Sequence, residues 1–189
     1  MITADRARET VLRLCESDSE ERFAIQSCEL SPRGDYWVVR CNSEEYIVHG
    51  FFGSCYVGVS AYLVNASSGH VEIVGSGQSW QQYLQDKYDL EVANGAHYII
   101  RPTFDRTDKT AFVNLRKRLE RSLQESIRLV SPENNHWLTG RLRPLENARE
   151  LLKEKGISVD VVLRKDTSGA IEINESDLHW DALKSTIRA

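Results

Sequence analysis

No apolar run in the 189-residue sequence approaches the roughly 18–20 residues that a helical membrane span requires. The opening Met1-Ile2-Thr3-Ala4-Asp5-Arg6 lacks the apolar stretch of a secretory signal. The four cysteines, Cys15, Cys28, Cys41 and Cys55, form no CxxC pair, and without an export signal they read as buried, reduced thiols. His49, His70, His97, His136 and His179 are scattered, with no HExxH and no other metal-ligand spacing. Gly75-Ser76-Gly77 lacks the Lys-Ser/Thr of a phosphate-binding loop, and a strand-to-helix turn calls for such glycines in any case. The expectation is a soluble, cytoplasmic protein with no membrane partner, no metal and no cofactor.

What the sequence does hold is enough apolar material for a core: 41% hydrophobic residues and 8% aromatics, which excludes a disordered chain. The length fits one domain or two small ones. The net charge of −4 is unevenly spread. Residues 1–100 carry 7 Lys+Arg against 14 Asp+Glu, residues 101–155 carry 13 against 8, and residues 156–189 carry 4 against 6. An acidic first half repels nucleic acid and attracts a basic partner.

Apolar spacing places a helix over residues 3–15, capped by Thr3, with Ala4, Ala7, Val11 and Leu14 on one stripe. Strand patterns follow at 23–30, 36–41, 57–65 and 70–74. The first two are joined by the turn Ser31-Pro32-Arg33-Gly34-Asp35 and the last two by Ala66-Ser67-Ser68-Gly69. Ser79 and Gln82 have capping-box spacing for a helix carrying Trp80, Tyr83, Leu84 and Tyr88. This order predicts an α+β fold: an N-terminal helix on an antiparallel sheet of about four strands. The extended segment 97–102 is expected to close that unit, giving domains 1–103 and 104–189.

In the second domain, Phe112, Leu115, Leu119, Leu123, Ile127 and Val130 step by three or four and predict one long helix over 107–131. The stripe is expected to be internal core, with a homodimer face as its alternative use. A second helix over 145–155 ends at Gly156, residues 157–163 and 170–173 pattern as a short β-hairpin, and a helix closes the chain at 177–187.

The segment YVGVSAYLVNASSGHVEIVGSGQSWQQYLQDKY, residues 56–88, resembles the immunity protein 35 family, which includes a small heat-stable chaperone-like member. The matching positions are Gly58, Tyr62-Leu63-Val64, Asn65, Gly69, Val71, Gly75-Ser76 and Tyr83-Leu84, and the opening helix and Trp37 extend the likeness over residues 1–90. Val59, Ala61 and Asn65 stand where the family has Asn, Pro and Asp. The resemblance implies a cytoplasmic inhibitor of a bacterial competition toxin, acting by binding a protein partner without catalysis. Interfaces of that kind depend on a few aromatic or Arg anchors, and acidic charge speeds association with a basic toxin.

Glu44, Glu45, Glu72, Asp86, Asp89 and Glu91 are the candidates for that acidic field, and Phe51 and Phe52 for the anchors. The plainer expectation is that the acids are an ordinary solvated surface and that both phenylalanines pack beneath their loop. Exposure of either ring would point towards a binding role. Trp37, Trp80 and Tyr83 are expected in the core. The basic run Arg116-Lys117-Arg118 with Arg121 is interrupted by Glu120 and Glu125. It reads as a solvated helix face with Arg116–Glu120 and Arg121–Glu125 pairs, not a nucleic-acid stripe. In His179-Trp180-Asp181 the acid and base would point about 200° apart on a helix, and nothing in the sequence orients His49 towards Cys55. Three functions remain open: a toxin-neutralising immunity protein, a chaperone-like module holding diverse clients, and a small enzyme or ligand-binding protein with a helix–sheet pocket.

Overall fold

A computed structural model describes residues 1–17 and 19–188. The α+β class is as the sequence predicts, in two compact units, Met1–Gln85 and Asp86–Ala189.

The first unit opens with α1 (Ala4–Glu16), whose N-terminus is capped by Thr3 Oγ1 accepting from the Arg6 N–H at 3.2 Å. Four strands follow, β1 (Phe23–Leu30), β2 (Tyr36–Ser43), β3 (Val59–Asn65) and β4 (Val71–Gly75), in an antiparallel meander in sequence order. The turns do what their residues suit them for. Asn65 Oδ1 accepts from the Ser67 and Ser68 N–H groups at 3.0 and 2.9 Å, and Gly69 takes φ +75°, closing the β3–β4 hairpin. Alternation along the strands sends Val39 and Val64 to one face, where they are buried with Ala7 and Val11 of α1. Burying a Val side chain contributes roughly 1.5–3 kcal/mol. Cys15, Cys28, Trp37, Cys41 and Tyr62 pack round that cluster, half-buried. The helical stripe runs Ala7, Val11, Cys15, in steps of four, while Leu14 is exposed.

A short helix α2 (Glu44–Ile47) follows β2, and α3 (Trp80–Ala93) follows β4 with the reciprocal Ser79–Gln82 capping box that the sequence spells; its first six residues belong to the first unit and the rest, from Asp86, to the second. Trp80 and Tyr83 are half-buried on it.

The second unit is a four-stranded sheet with helices. Its elements are β5 (His97–Pro102), α4 (Lys109–Leu119), α5 (Leu123–Leu129), β6 (Leu138–Gly140), α6 (Leu142–Glu154), β7 (Val159–Arg164), β8 (Ile171–Glu172) and α7 (Trp180–Arg188). Strand order is β7-β5-β6-β8, antiparallel except for the parallel β6–β8 edge. Ile100, Leu115, Leu119, Leu138, Leu145, Leu152 and Leu183 are fully buried in its core.

Three expectations for this half are corrected. Segment 97–102 does not close the first unit; it is an inner strand of the second sheet, paired with β7 from His97↔Arg164 to Pro102↔Val159. The strands expected to form a hairpin round 166–169 lie at opposite edges of that sheet. The long helix is two helices. Glu120 takes a left-handed conformation (φ 52°), and Ser122 starts α5 with a capping box to Glu125, so Leu123 and Ile127 face solvent. Phe112, Leu115, Leu119 and Val130 are buried inside the unit, in line with the expectation of internal core. Arg121 pairs with Glu125 at 3.0 Å, but Glu120 turns to Lys184 and Arg188 in place of Arg116.

Gly140, at the end of β6, has φ +153°, and a Cβ there would sit 2.7 Å from the Ile173 carbonyl oxygen. Only glycine lets the chain after β8 approach β6 this closely.

Candidate functional site

The connection between β2 and β3 is the most distinctive surface of the first unit. Instead of packing beneath it, Phe51 and Phe52 are 60% and 82% exposed, and Val48, Tyr56 and Val57 are exposed with them. This overturns the expectation that the two rings cover the core. The loop is nonetheless well tied. Asn42, at the end of β2, accepts from the Tyr56 N–H at 2.8 Å and donates to the Tyr56 carbonyl at 2.9 Å. Ser43 is buried. Its hydroxyl donates to the Ser54 carbonyl at 2.6 Å and caps α2 by accepting from the Tyr46 N–H at 3.2 Å. The chain then folds back, with the Phe51 N–H donating to the Glu45 carbonyl at 3.0 Å and the Tyr46 and Phe52 rings edge-on, centroids 5.9 Å apart. Apolar side chains are thus displayed on a fixed loop beside Glu44, half-buried, and Glu45, exposed.

The other acidic candidates do not join this group. Glu72 lies on β4 and accepts from the Tyr36 and Tyr83 hydroxyls at 3.1 and 2.9 Å, a structural anchor for two tyrosines. Asp86, Asp89 and Glu91 belong to the second unit. Asp86 is buried and takes hydrogen bonds from Arg141 and Arg143 at 3.2 and 3.5 Å, because a buried carboxylate requires cationic partners. Asp89 is half-buried, its backbone carbonyl accepting from the Tyr98 hydroxyl at 2.8 Å, and Glu91 is exposed. His179 is accounted for as the cap of α7, its Nδ1 accepting from the Ala182 N–H.

Next to the tied loop is a groove of about 330 Å³ lined by Cys15, Ser19, Phe23, Cys41, Tyr56, Val57, Val59 and Tyr62. The Phe23 and Tyr56 rings stand 5.1 Å apart at its side. Cys15 and Cys41 are reduced, and their sulfurs are 3.3 Å apart. The Cys41 thiol, and secondly the Tyr62 hydroxyl, stabilise the Cys15 thiolate and bring its pKa down to about 7, against burial and the Glu16 charge. Cys41 is driven the other way, because its hydrogen bond to Cys15 and its burial both favour the protonated thiol. Burial, then the two thiols, raise the Tyr62 hydroxyl, which stays a donor. Sequence spacing gave no sign of this pair: its members lie 26 positions apart, on a helix and a strand.

Among the described residues no three His, Cys, Asp or Glu side chains converge as metal ligands, and no helix is long and apolar enough to cross a membrane. Compared with known protein families, with curated proteins and with solved structures, the chain matches none.

Proposed function

We propose that this protein is a non-catalytic inhibitor that binds and neutralises a cognate toxin of bacterial competition in the cytoplasm, using the β2–β3 loop as its anchor. The observation that carries the proposal is the exposure of Phe51 and Phe52 on a loop held by Asn42 and Ser43. Large aromatic side chains presented in a fixed conformation are the residues that dominate protein interfaces, because little entropy is lost on docking. The occupant is a basic protein surface. Residues 1–85 carry 6 Lys+Arg against 11 Asp+Glu, and Glu44 and Glu45 begin the same β2–β3 connection. The resemblance of residues 1–90 to the immunity protein 35 family supports the same reading and supplies the toxin as the class of partner.

The test is co-expression with the product of the adjacent gene, scored for rescued growth and a stable complex, in the wild type and in a Phe51→Ser/Phe52→Ser variant. Rescue and complex formation by the wild type, lost in the variant, are the expected result. Growth arrest despite a folded wild-type protein overturns the proposal. Suppression of heat aggregation of unrelated proteins by the same loop assigns it to a chaperone-like module instead.

A further inference from the structure

We infer that Cys15 and Cys41 are a redox-active dithiol, oxidised by hydroperoxides to a reversible disulfide that ties α1 to β2. The site is assembled by the fold. Steps of four along α1 bring Cys15 to the face that packs on the sheet, and Cys41 lies in β2 opposite Ile25, beside a bulge between Ile25 and Ser27. The sulfurs, in contact at 3.3 Å, need only a small approach to bond. Both line the groove, which gives a small oxidant access, and neither is shut inside the core.

The two cysteines divide the chemistry. Cys15, whose pKa of about 7 makes a thiolate available near neutrality, is the attacking sulfur. Its electron pair attacks the terminal peroxide oxygen. An S–O bond forms, the O–O bond breaks, and the departing alkoxide or hydroxide takes a proton from water. The sulfur, now a sulfenic acid, has lost two electrons and the peroxide has gained them. Cys41 then attacks the Cys15 sulfur. The S–S bond forms, the S–O bond breaks, and the expelled hydroxide leaves as water with the Cys41 proton. Two equivalents of a small thiol return the pair to the reduced form. Among the described residues Cys28 and Cys55 have no such neighbour: the Cys28 sulfur is 3.9 Å from the Ala4 carbonyl, and burial raises its pKa, while the Cys55 sulfur lies at Asn42 and the Tyr56 carbonyl.

The experiment treats the reduced full-length protein with one equivalent of hydrogen peroxide at neutral pH, followed by thiol counting and peptide mapping. Two of the four thiols should disappear with the mass of two hydrogens, and the crosslinked peptides should be those of Cys15 and Cys41. The melting temperature should rise and fall back on reduction by dithiothreitol, because the crosslink restricts the unfolded chain. In Cys41→Ser the reaction should stop at a Cys15 sulfenic acid that dimedone traps. In Cys15→Ser oxidation should slow on the order of tenfold. Should that variant fail to fold, the wild-type rate serves, half-maximal near the pKa of about 7. Recovery of Cys15 and Cys41 as separate alkylated peptides after the peroxide is consumed, or oxidation of Cys28 or Cys55 at the same rate as Cys15, overturns the inference.

Discussion

The rings of Tyr46 and Phe52 meet edge-on across the β2–β3 loop, yet Phe52 keeps most of its surface in water. A side chain so placed adds little to folding, whereas burial by a partner would gain its full apolar area. Replacing Phe51 and Phe52 by Ser should leave the unfolding free energy within about 0.5 kcal/mol of wild type in a denaturant titration. Calorimetry against the partner should show a loss of at least about 2 kcal/mol, roughly 30-fold in Kd.

Asn42 holds Tyr56 through both its backbone N–H and its carbonyl. Asn42→Ala removes both bonds, at about 0.5–1.5 kcal/mol each. Hydrogen exchange should quicken across residues 43–56 while the strands keep their protection. Partner affinity should fall even though no anchoring ring has been changed.

Gly140 and Gly50 both have positive φ, but they differ in surroundings. A Cβ at Gly50 meets nothing within 4 Å, while one at Gly140 strikes the Ile173 carbonyl at 2.7 Å. Gly50→Ala should cost about 1–2 kcal/mol, the left-handed penalty alone. Gly140→Ala combines a φ of +153°, which L side chains rarely adopt, with overpacking against the Ile173 carbonyl, and should cost about 2–5 kcal/mol. Thermal melts of the two variants make the comparison.

The Ser122 hydroxyl and backbone N–H, followed by the Arg121 guanidinium, hold the Glu125 carboxyl down at about 2, against an ordinary 4.5. A depressed folded-state pKa favours the native protein above the unfolded value and loses that effect as pH falls through the folded one. The contribution of the α5 cap is therefore complete above pH 4.5 and fades towards pH 2. Glu125→Gln keeps an oxygen for the Ser122 N–H but does not titrate, so its stability should fall less steeply over that interval in acid unfolding monitored by circular dichroism.

The first unit was legible because its information is local. Alternating residues, a Gly34 turn and an Asn65–Gly69 hairpin each specify a pairing with the next strand in the chain. The second unit was not, since β5 and β8 pair with strands that no neighbouring turn dictates. The break after Leu119 was spelled in Ser122-x-x-Glu125, but an unbroken series of apolar steps overrode it. For the candidate site, Phe51 and Phe52 were visible as residues while their exposure was not. That depends on Asn42 and Ser43 propping the loop, and polar side chains leave no periodic trace. Cys15 and Cys41 meet only once helix and sheet have packed.

The ladder between β5 and β7 has one further consequence. His97 pairs with Arg164, 67 positions later, whereas every strand of the first sheet finds its partner in the next one along. On a ribosome releasing the chain N-terminus first, the meander is complete while the β5 edge that pairs with β7 still lacks its partner. A nascent chain stalled before residue 159 therefore presents a finished leading sheet and a strand edge in the second sheet open to pairing with another chain.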